Sequence, residues 1–285
     1  MPSLKDIQRR ITSIKKTQQI TRAMRMVAGA KLRRAQDASE NARPYADRMQ
    51  ATVSEVAQGL SEDAHPLFEI RRPVKQLEVV VITSDRGLCG GFNSNVNKFA
   101  ASLIAQRENE GCQVAITTAG RKGREFFRRR YPGQLADDYP QPSWVKYAQA
   151  AAIGKAVSGR FEAGEVDEVV LVYNEFISAM TQTPKRVPLL PFSADAAAGD
   201  SLPYEIEPNP QSLLAALVPK AVEVEIYRAL LENQTGEHAA RMTAMESATR
   251  NTEELVDSLT LQFNRARQAA ITKELVEIVS GAEAL

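Results

Sequence analysis

This sequence has little of what an enzyme or a disulfide-built scaffold needs. Its two cysteines, Cys89 and Cys112, share no CxxC spacing, which argues against a thiolate zinc site and a disulfide framework. The two histidines, His65 and His238, each stand alone in their local sequence. No HExxH, no GxSxG and no paired carboxylates in a glycine-rich setting occur, so the common catalytic signatures are missing. No apolar run approaches the roughly 18 residues of a membrane span. The start, MPSLKDIQRR, has no apolar signal core and reads as mature protein. Aromatic residues are scarce at 6% and net charge is only +1, so neither a thick aromatic core nor a bulk electrostatic attraction is indicated. What is present is ordinary for a soluble globular chain of 285 residues, with 44% apolar and 25% charged residues.

The two ends of the chain read as long helices. From Ser3 to about residue 58, Leu4, Ile7, Ile11 and Ile14 step by three and four, the seam of a coiled coil. The seam then slips by six residues to Ile20, resumes at Met24 and Val27, and continues through Leu32, Ala35, Ala42, Met49, Val53 and Val56. Ser3 with Asp6 three positions on forms a helix start, and Pro44 is expected to kink or interrupt the helix. Such a helix would be roughly 80 Å long. After EPNPQS, residues 210–285 show a matching rhythm at Met245, Ala248, Thr252, Leu255, Leu259, Gln262, Ala266 and Ala269. Two long helices at opposite ends of a chain most simply pair as an antiparallel coiled coil.

Between them the period changes. LEVVVIT (77–83), QVAITT (113–118) and EVVLVY (168–173) are short β-branched runs, with helical stretches at about 92–109, 121–131 and 146–162. Strands alternating with helices imply a mainly parallel sheet covered on both faces. TPKRVPLLPF (183–192), with three prolines, suits an edge strand. The expected fold is therefore α/β: a small Rossmann-like domain (75–200) inserted between an N-terminal coiled-coil helix (1–58) and a C-terminal one (210–285).

The segment TSDRGLCGGFN resembles the opening of a nucleotide site, but its chemistry does not fit. It lacks the GK[ST] of a P-loop, and Gly87, Gly90 and Gly91 do not have GxGxxG spacing. Asp85 would also aim a carboxylate at the phosphates. The better reading is a tight strand-to-helix connection in which glycines take positive φ. Asp137–Asp138 reads as solvated loop.

Charge is unevenly placed. Residues 1–34 hold ten Lys or Arg and one acid, net +9, whereas residues 210–285 are net −4. A solvated face, a nucleic-acid footprint and a seat against an acidic protein surface are the three readings. The basic residues surround the helix with no aromatic for stacking, which disfavours nucleic acid. The C-terminal ITKELVEIVSGAEAL is apolar on several sides, including Ile271, Leu275, Ile278 and Val279, and a polar collar in NRARQAAIT precedes it. A free tip of this kind aggregates unless something sheathes it, so it reads as a spindle in a socket.

Three blocks, ITRAMRMVAGAKLRRAQ, TSDRGLCGGFN and NRARQAAITKELVEIVSGA, together with the helix–α/β–helix order, make the chain resemble the γ subunits of bacterial F-type ATP synthases. The resemblance covers essentially the whole chain. It implies a non-catalytic central rotor shaft without a cofactor, partnered by the α3β3 hexamer, the ε subunit and the c-ring, and touching the membrane only through that ring. It also implies a place at the cytoplasmic face of the bacterial inner membrane, peripheral to it. Met24, Asn264, Arg267, Gln268 and Thr272 would contact the levers and catch loop of β, the tip from Ile271 to Val279 would turn in an apolar collar, and Tyr204 and Glu207 would belong to the foot on ε and the c-ring. No chloroplast-type cysteine pair is present. Two rivals from other classes remain at this point: a nucleotide-binding enzyme with a coiled-coil handle, and a basic coiled-coil scaffold for nucleic acid.

Overall fold

The structure, a computed structural model, describes residues 3–57, 65–193 and 209–283. Tyr204 and Glu207 lie outside the described residues. The chain divides into two compact units, residues 1–28 with 242–285, and residues 29–241. Helices α1 (Leu4–Ala57) and α5 (Pro210–Glu283) each contribute to both.

In the first unit α1 and α5 run antiparallel, with Thr21 beside Thr249 and Arg25 beside Glu246. The start of α1 is capped as expected: the Asp6 amide donates to Ser3 Oγ at 3.2 Å, and Ser3 Oγ donates to the Asp6 carboxylate at 2.7 Å. The seam differs from the sequence reading in one respect. Burial follows Ile7, Ile11, Ile14, Gln18, Thr21, Met24 and Ala28 in steps of three and four, while Ile20 is 59% exposed and Val27 57% exposed. The apparent slip came from following the apolar residues. The helix instead keeps register by placing Gln18 and Thr21 in the seam. Thr249 Oγ1 donates to Thr21 Oγ1 at 2.8 Å and Thr21 Oγ1 to the Gln18 carbonyl at 3.0 Å, so the buried hydroxyls are satisfied. On α5 the seam likewise runs Met245, Thr249, Thr252, Val256, Leu259, Phe263, Ala266 and Ala270. Ala248 is half-buried beside it, but Leu255, Gln262 and Ala269 face solvent. Period three-four leaves a one-residue ambiguity at alternate turns, and here the seam takes Val256 over Leu255, Phe263 over Gln262 and Ala270 over Ala269.

The second unit is a five-stranded sheet in the order β3-β2-β1-β4-β5. It comprises β1 (Gln76–Ile82), β2 (Gln113–Ala119), β3 (Leu135–Tyr139), β4 (Glu168–Phe176) and β5 (Gln182–Leu190). The first four are mutually parallel and β5 pairs antiparallel with β4 at the edge. The crossover helices are α2 (Phe92–Asn109), α3 (Arg121–Arg130) and α4 (Tyr147–Glu162). One sheet face packs under α2 and α3 through Val96, Leu103, Ile104 and Phe127. The other packs against α4, the end of α1 at Val53 and Val56, and the start of α5 at Leu214, Val218, Val222 and Ile226. These strands are apolar on both faces because both faces are covered.

Two readings change here: the helix is not interrupted at Pro44, and the Asp137–Asp138 pair is not in a loop. α1 continues through exposed Pro44. Only the bond to the Glu40 carbonyl is forfeited, and burial of Ala46 and Val53 holds the following turns in place. Asp137 and Asp138 are not loop residues but lie on β3, an edge strand too short and alternating to show an apolar run. Asp138 accepts from Arg124 at 2.9 Å, and Asp137 accepts from Arg160 Nη1 at 2.7 Å. Arg160 also reaches fully buried Glu78, with Nη2–Oε1 2.6 Å and Nε–Oε2 2.9 Å, while Thr117 donates to the same carboxylate at 2.7 Å.

Candidate partner surfaces

The glycine segment leaves no room for a nucleotide. In sheets of this topology the ligand crevice lies beyond the carboxyl end of β1, where the winding reverses. Here α5 fills that position. Asn233 Nδ2 donates to the Thr83 carbonyl at 3.3 Å, and Arg241 Nη2 donates to the Gly87 carbonyl at 3.2 Å. A Cβ on Gly236 would stand 2.9 Å from the Phe92 ring and 3.3 Å from Gln182, so glycine permits this close approach. Asp85 Oδ1 accepts from the amides of Arg121 (2.7 Å) and Gln141 (3.1 Å), capping α3 rather than facing phosphate. Gly90 takes φ 57°, as the tight-turn reading expects, but so does Leu88 at 63°. The loop is a seat for α5.

Among the described residues no three His, Cys, Asp or Glu gather to hold a metal, and no helix is long and apolar enough to cross a membrane. Both cysteines are buried free thiols, and burial pushes the Cys89 thiol up. His238 is not isolated after all. It is 4% exposed and lies edge-on to Trp144 within a polar cleft of about 140 Å³ that Arg241 and Glu237 also line. Burial, then the charges of Arg241, Lys31 and Arg86, lower its pKa to about 4. Glu237 and Arg241, four apart on α5, pair at 2.7 Å. That spacing is visible in the sequence, but the loops that complete the cleft are not.

The remaining candidate residues lie in the first unit. Met24 is half-buried on α1, whereas Asn264, Arg267, Gln268 and Thr272 are exposed on α5. Thr272 Oγ1 donates to the Gln268 carbonyl at 2.9 Å. At about 100° per residue, Asn264, Arg267, Gln268, Ile271, Thr272, Leu275, Ile278 and Val279 fall within roughly 140° of arc. This stripe points away from the seam of Phe263, Ala266 and Ala270. Leu275 is 57% exposed and Ile278 68% exposed. The antiparallel register explains why: with Thr21 level with Thr249, Leu4 is level with Ala266, so beyond Ala270 no helical residue of α1 remains to cover α5. Ile20 and Val27, which sequence reasoning had spent on the seam, stand exposed on one side of α1. Apolar side chains at non-seam positions of a basic helix were the available signal.

A helix pair whose apolar stripes face outward, carrying an α/β insert whose ligand crevice is filled by its own helix, defines a mechanical rather than a catalytic class of subunit. Comparison with known proteins specifies which one. The family model described as ATP synthase matches residues 3–285. ATP synthase gamma chains of Anaeromyxobacter dehalogenans (strain 2CP-1 / ATCC BAA-258) and Chelativorans sp. (strain BNC1) are 48% and 49% identical over 290 and 291 residues, spanning 100% of each chain. A chain of the Tetrahymena thermophila mitochondrial ATP synthase central stalk/c-ring structure is 29% identical with TM-score 0.63, covering 80% of this chain and 99% of that one. A chain of the Euglena gracilis mitochondrial ATP synthase rotor has TM-score 0.69 at 19% identity, covering 94% and 98%, and bears on the fold alone. The chain belongs to the ATP synthase gamma-chain family.

Proposed function

We propose that this chain is the shaft that couples rotation of a c-ring to the conformational cycle of an α3β3 hexamer, at the cytoplasmic face of a bacterial inner membrane. The central-stalk role follows from the family, and catalysis belongs to the β subunits. Proton flow turns the ring and shaft, and the shaft's uneven sides open and close three catalytic sites in turn. In reverse, ATP hydrolysis drives the shaft and pumps protons. The ε subunit joins the foot.

The observation that carries this reading is the stripe on α5. Four apolar side chains, Ile271, Leu275, Ile278 and Val279, stand about half exposed on a stretch of helix that no helix among the described residues covers. Sheathing them in an apolar collar would gain about 3–6 kcal/mol, taking half of the 1.5–3 kcal/mol for each fully buried side chain. An apolar bearing of this kind has no directional bonds to break as the shaft turns. Directional contacts sit one to two turns earlier, where Asn264, Arg267 and Gln268 present hydrogen-bonding groups to a β loop. Neither Arg267 nor Gln268 bonds its side chain to another described residue, so both are available. The basic stretch of α1 around Met24 would meet acidic levers on β.

The test is the double variant Arg267→Ala with Gln268→Ala in the assembled complex. Both residues are exposed, so the melting temperature should stay within about 2 °C while ATP-coupled proton pumping falls at least about tenfold, the loss of one or two charge-assisted hydrogen bonds. Undiminished pumping by a stably assembled double variant would remove their assigned role.

A further inference from the structure

The cleft around His238 has donors and charge but nothing to receive them. It lies wholly within the second unit, between the β1–α2 loop, the segment joining β3 to α4, α1 at Lys31, and α5. Arg241 offers only donors, and its Nη1 lies 3.5 Å from His238 Nδ1. Nδ1 therefore accepts, which leaves the proton of the neutral ring on Nε2. That Nε2 is buried and has no hydrogen-bond partner. Gln141, another residue lining the cleft, has a second buried donor without a partner in its Nε2. Buried donors left unsatisfied cost about 1–3 kcal/mol each, so a native chain rarely keeps two in one cleft without an occupant.

The charges point the same way. Lys31 and Arg86 line the cleft, and neither forms an ion pair with a described residue. The two acids at the cleft are already engaged. Glu237 pairs with Arg241 at 2.7 Å, and Asp85 Oδ1 accepts from the Arg121 and Gln141 amides. The balance of three cations against two carboxylates leaves one positive charge in the same cleft as the two orphan donors. A cation is disfavoured by that balance, and among the described residues no cluster suited to a metal exists. The cleft volume of about 140 Å³ holds several waters at the roughly 10–15 Å³ each needs on this measure, or one tetrahedral oxyanion and its remaining water.

We propose that this cleft is a binding site for a small inorganic oxyanion of the phosphate class, held by His238 Nε2–H, Gln141 Nε2, Lys31 and Arg86. It would tie α1 and α5 to two loops of the sheet, stiffening the second unit where both long helices leave it. The site is independent of the rotary reading above and could fail without affecting it.

The experiment is phosphate titration of the full chain, kept in solution by mild detergent because of its apolar tip, followed by isothermal calorimetry at constant ionic strength. One saturable site is expected, with sulfate competing and chloride not. Arg86→Gln, at an exposed residue whose side chain bonds to no described residue, should weaken binding about tenfold, the loss of one charge-assisted hydrogen bond. His238→Gln should weaken it as well, and Lys98→Gln, on the far side of α2, should not. Absence of saturable binding, meaning that water alone fills the cleft, would overturn the proposal. So would binding unchanged in Arg86→Gln, or displacement of phosphate by a peptide carboxylate in preference to sulfate, which would make the cleft a socket for a partner's acidic side chain.

Discussion

Arg160→Met tests the foundation on which both long helices rest. Glu78 is completely buried in β1, and among the described residues its carboxylate is satisfied by Arg160 and Thr117. Removing the guanidinium leaves a carboxylate buried without its counter-charge, a change that typically costs about 3–5 kcal/mol. Arg160 keeps about a fifth of its side chain exposed (21%) and Asp137 more (37%), so water screens part of the interaction and the lower end, about 3 kcal/mol, applies. For a unit of this size each kcal/mol shifts the melting temperature by about 2–4 °C, giving a loss of about 6–12 °C. The assay is thermal unfolding of the full chain followed by circular dichroism, paired with urea unfolding. A second variant makes the reasoning strict. Arg160→Met combined with Glu78→Leu and Thr117→Val replaces the buried ion pair and the hydroxyl that serves it with apolar groups, and should return to within about 1 kcal/mol of the parent. If Arg160→Met alone melts within about 2 °C of the parent, the pair does not carry the sheet.

Three further outcomes are expected. Gly236→Val should destabilise the second unit by about 1–3 kcal/mol, because its Cβ would meet the Phe92 ring at 2.9 Å; a chemical-denaturation midpoint equal to that of the parent would contradict the close approach. Met24→Lys should impair coupling of hydrolysis to pumping more than it impairs assembly, read as the ratio of proton pumping to ATPase activity in purified complexes. Stability should also respond to pH through His238. Its folded pKa, about 4, lies below the ordinary value of 6.5, so as pH falls from 6.5 towards 4 the unfolded chain takes up the proton first and the fold loses stability. Glu237, whose carboxyl is raised by burial despite Arg241, binds its proton earlier in the folded state and offsets part of that loss. His238→Gln should therefore flatten the decline of melting temperature between pH 6.5 and 4, and an unchanged slope would show that His238 is not held neutral.

Much of the fold was legible because local pattern and tertiary role agree. The three apolar runs became β1, β2 and β4, and the helical stretch at 92–109 is α2 with the same bounds. The proline-bearing run became the antiparallel edge strand β5, where a missing amide is tolerated. β3 was not legible, since LADDY is stabilised by Arg124 and Arg160 from helices elsewhere rather than by its own apolar content. The seam of the long helices was half legible. Coiled-coil reading follows apolar residues, but this pair buries Thr21, half-buries Gln18 and exposes Ile20 and Val27, a choice made by the partner helix. The contact residues proposed on α5 were found through a family resemblance, and the structure adds that they share one face. The His238 cleft could not be foreseen, because it is assembled from four separate segments.

The central claim is that this chain turns. The most direct measurement fixes α3β3 to a surface, attaches a visible probe to this chain through a single surface cysteine on α2, and supplies ATP. The account predicts unidirectional rotation of the probe in three equal pauses per turn, one for each catalytic site. ATP hydrolysis at a normal rate with a stationary probe would contradict it.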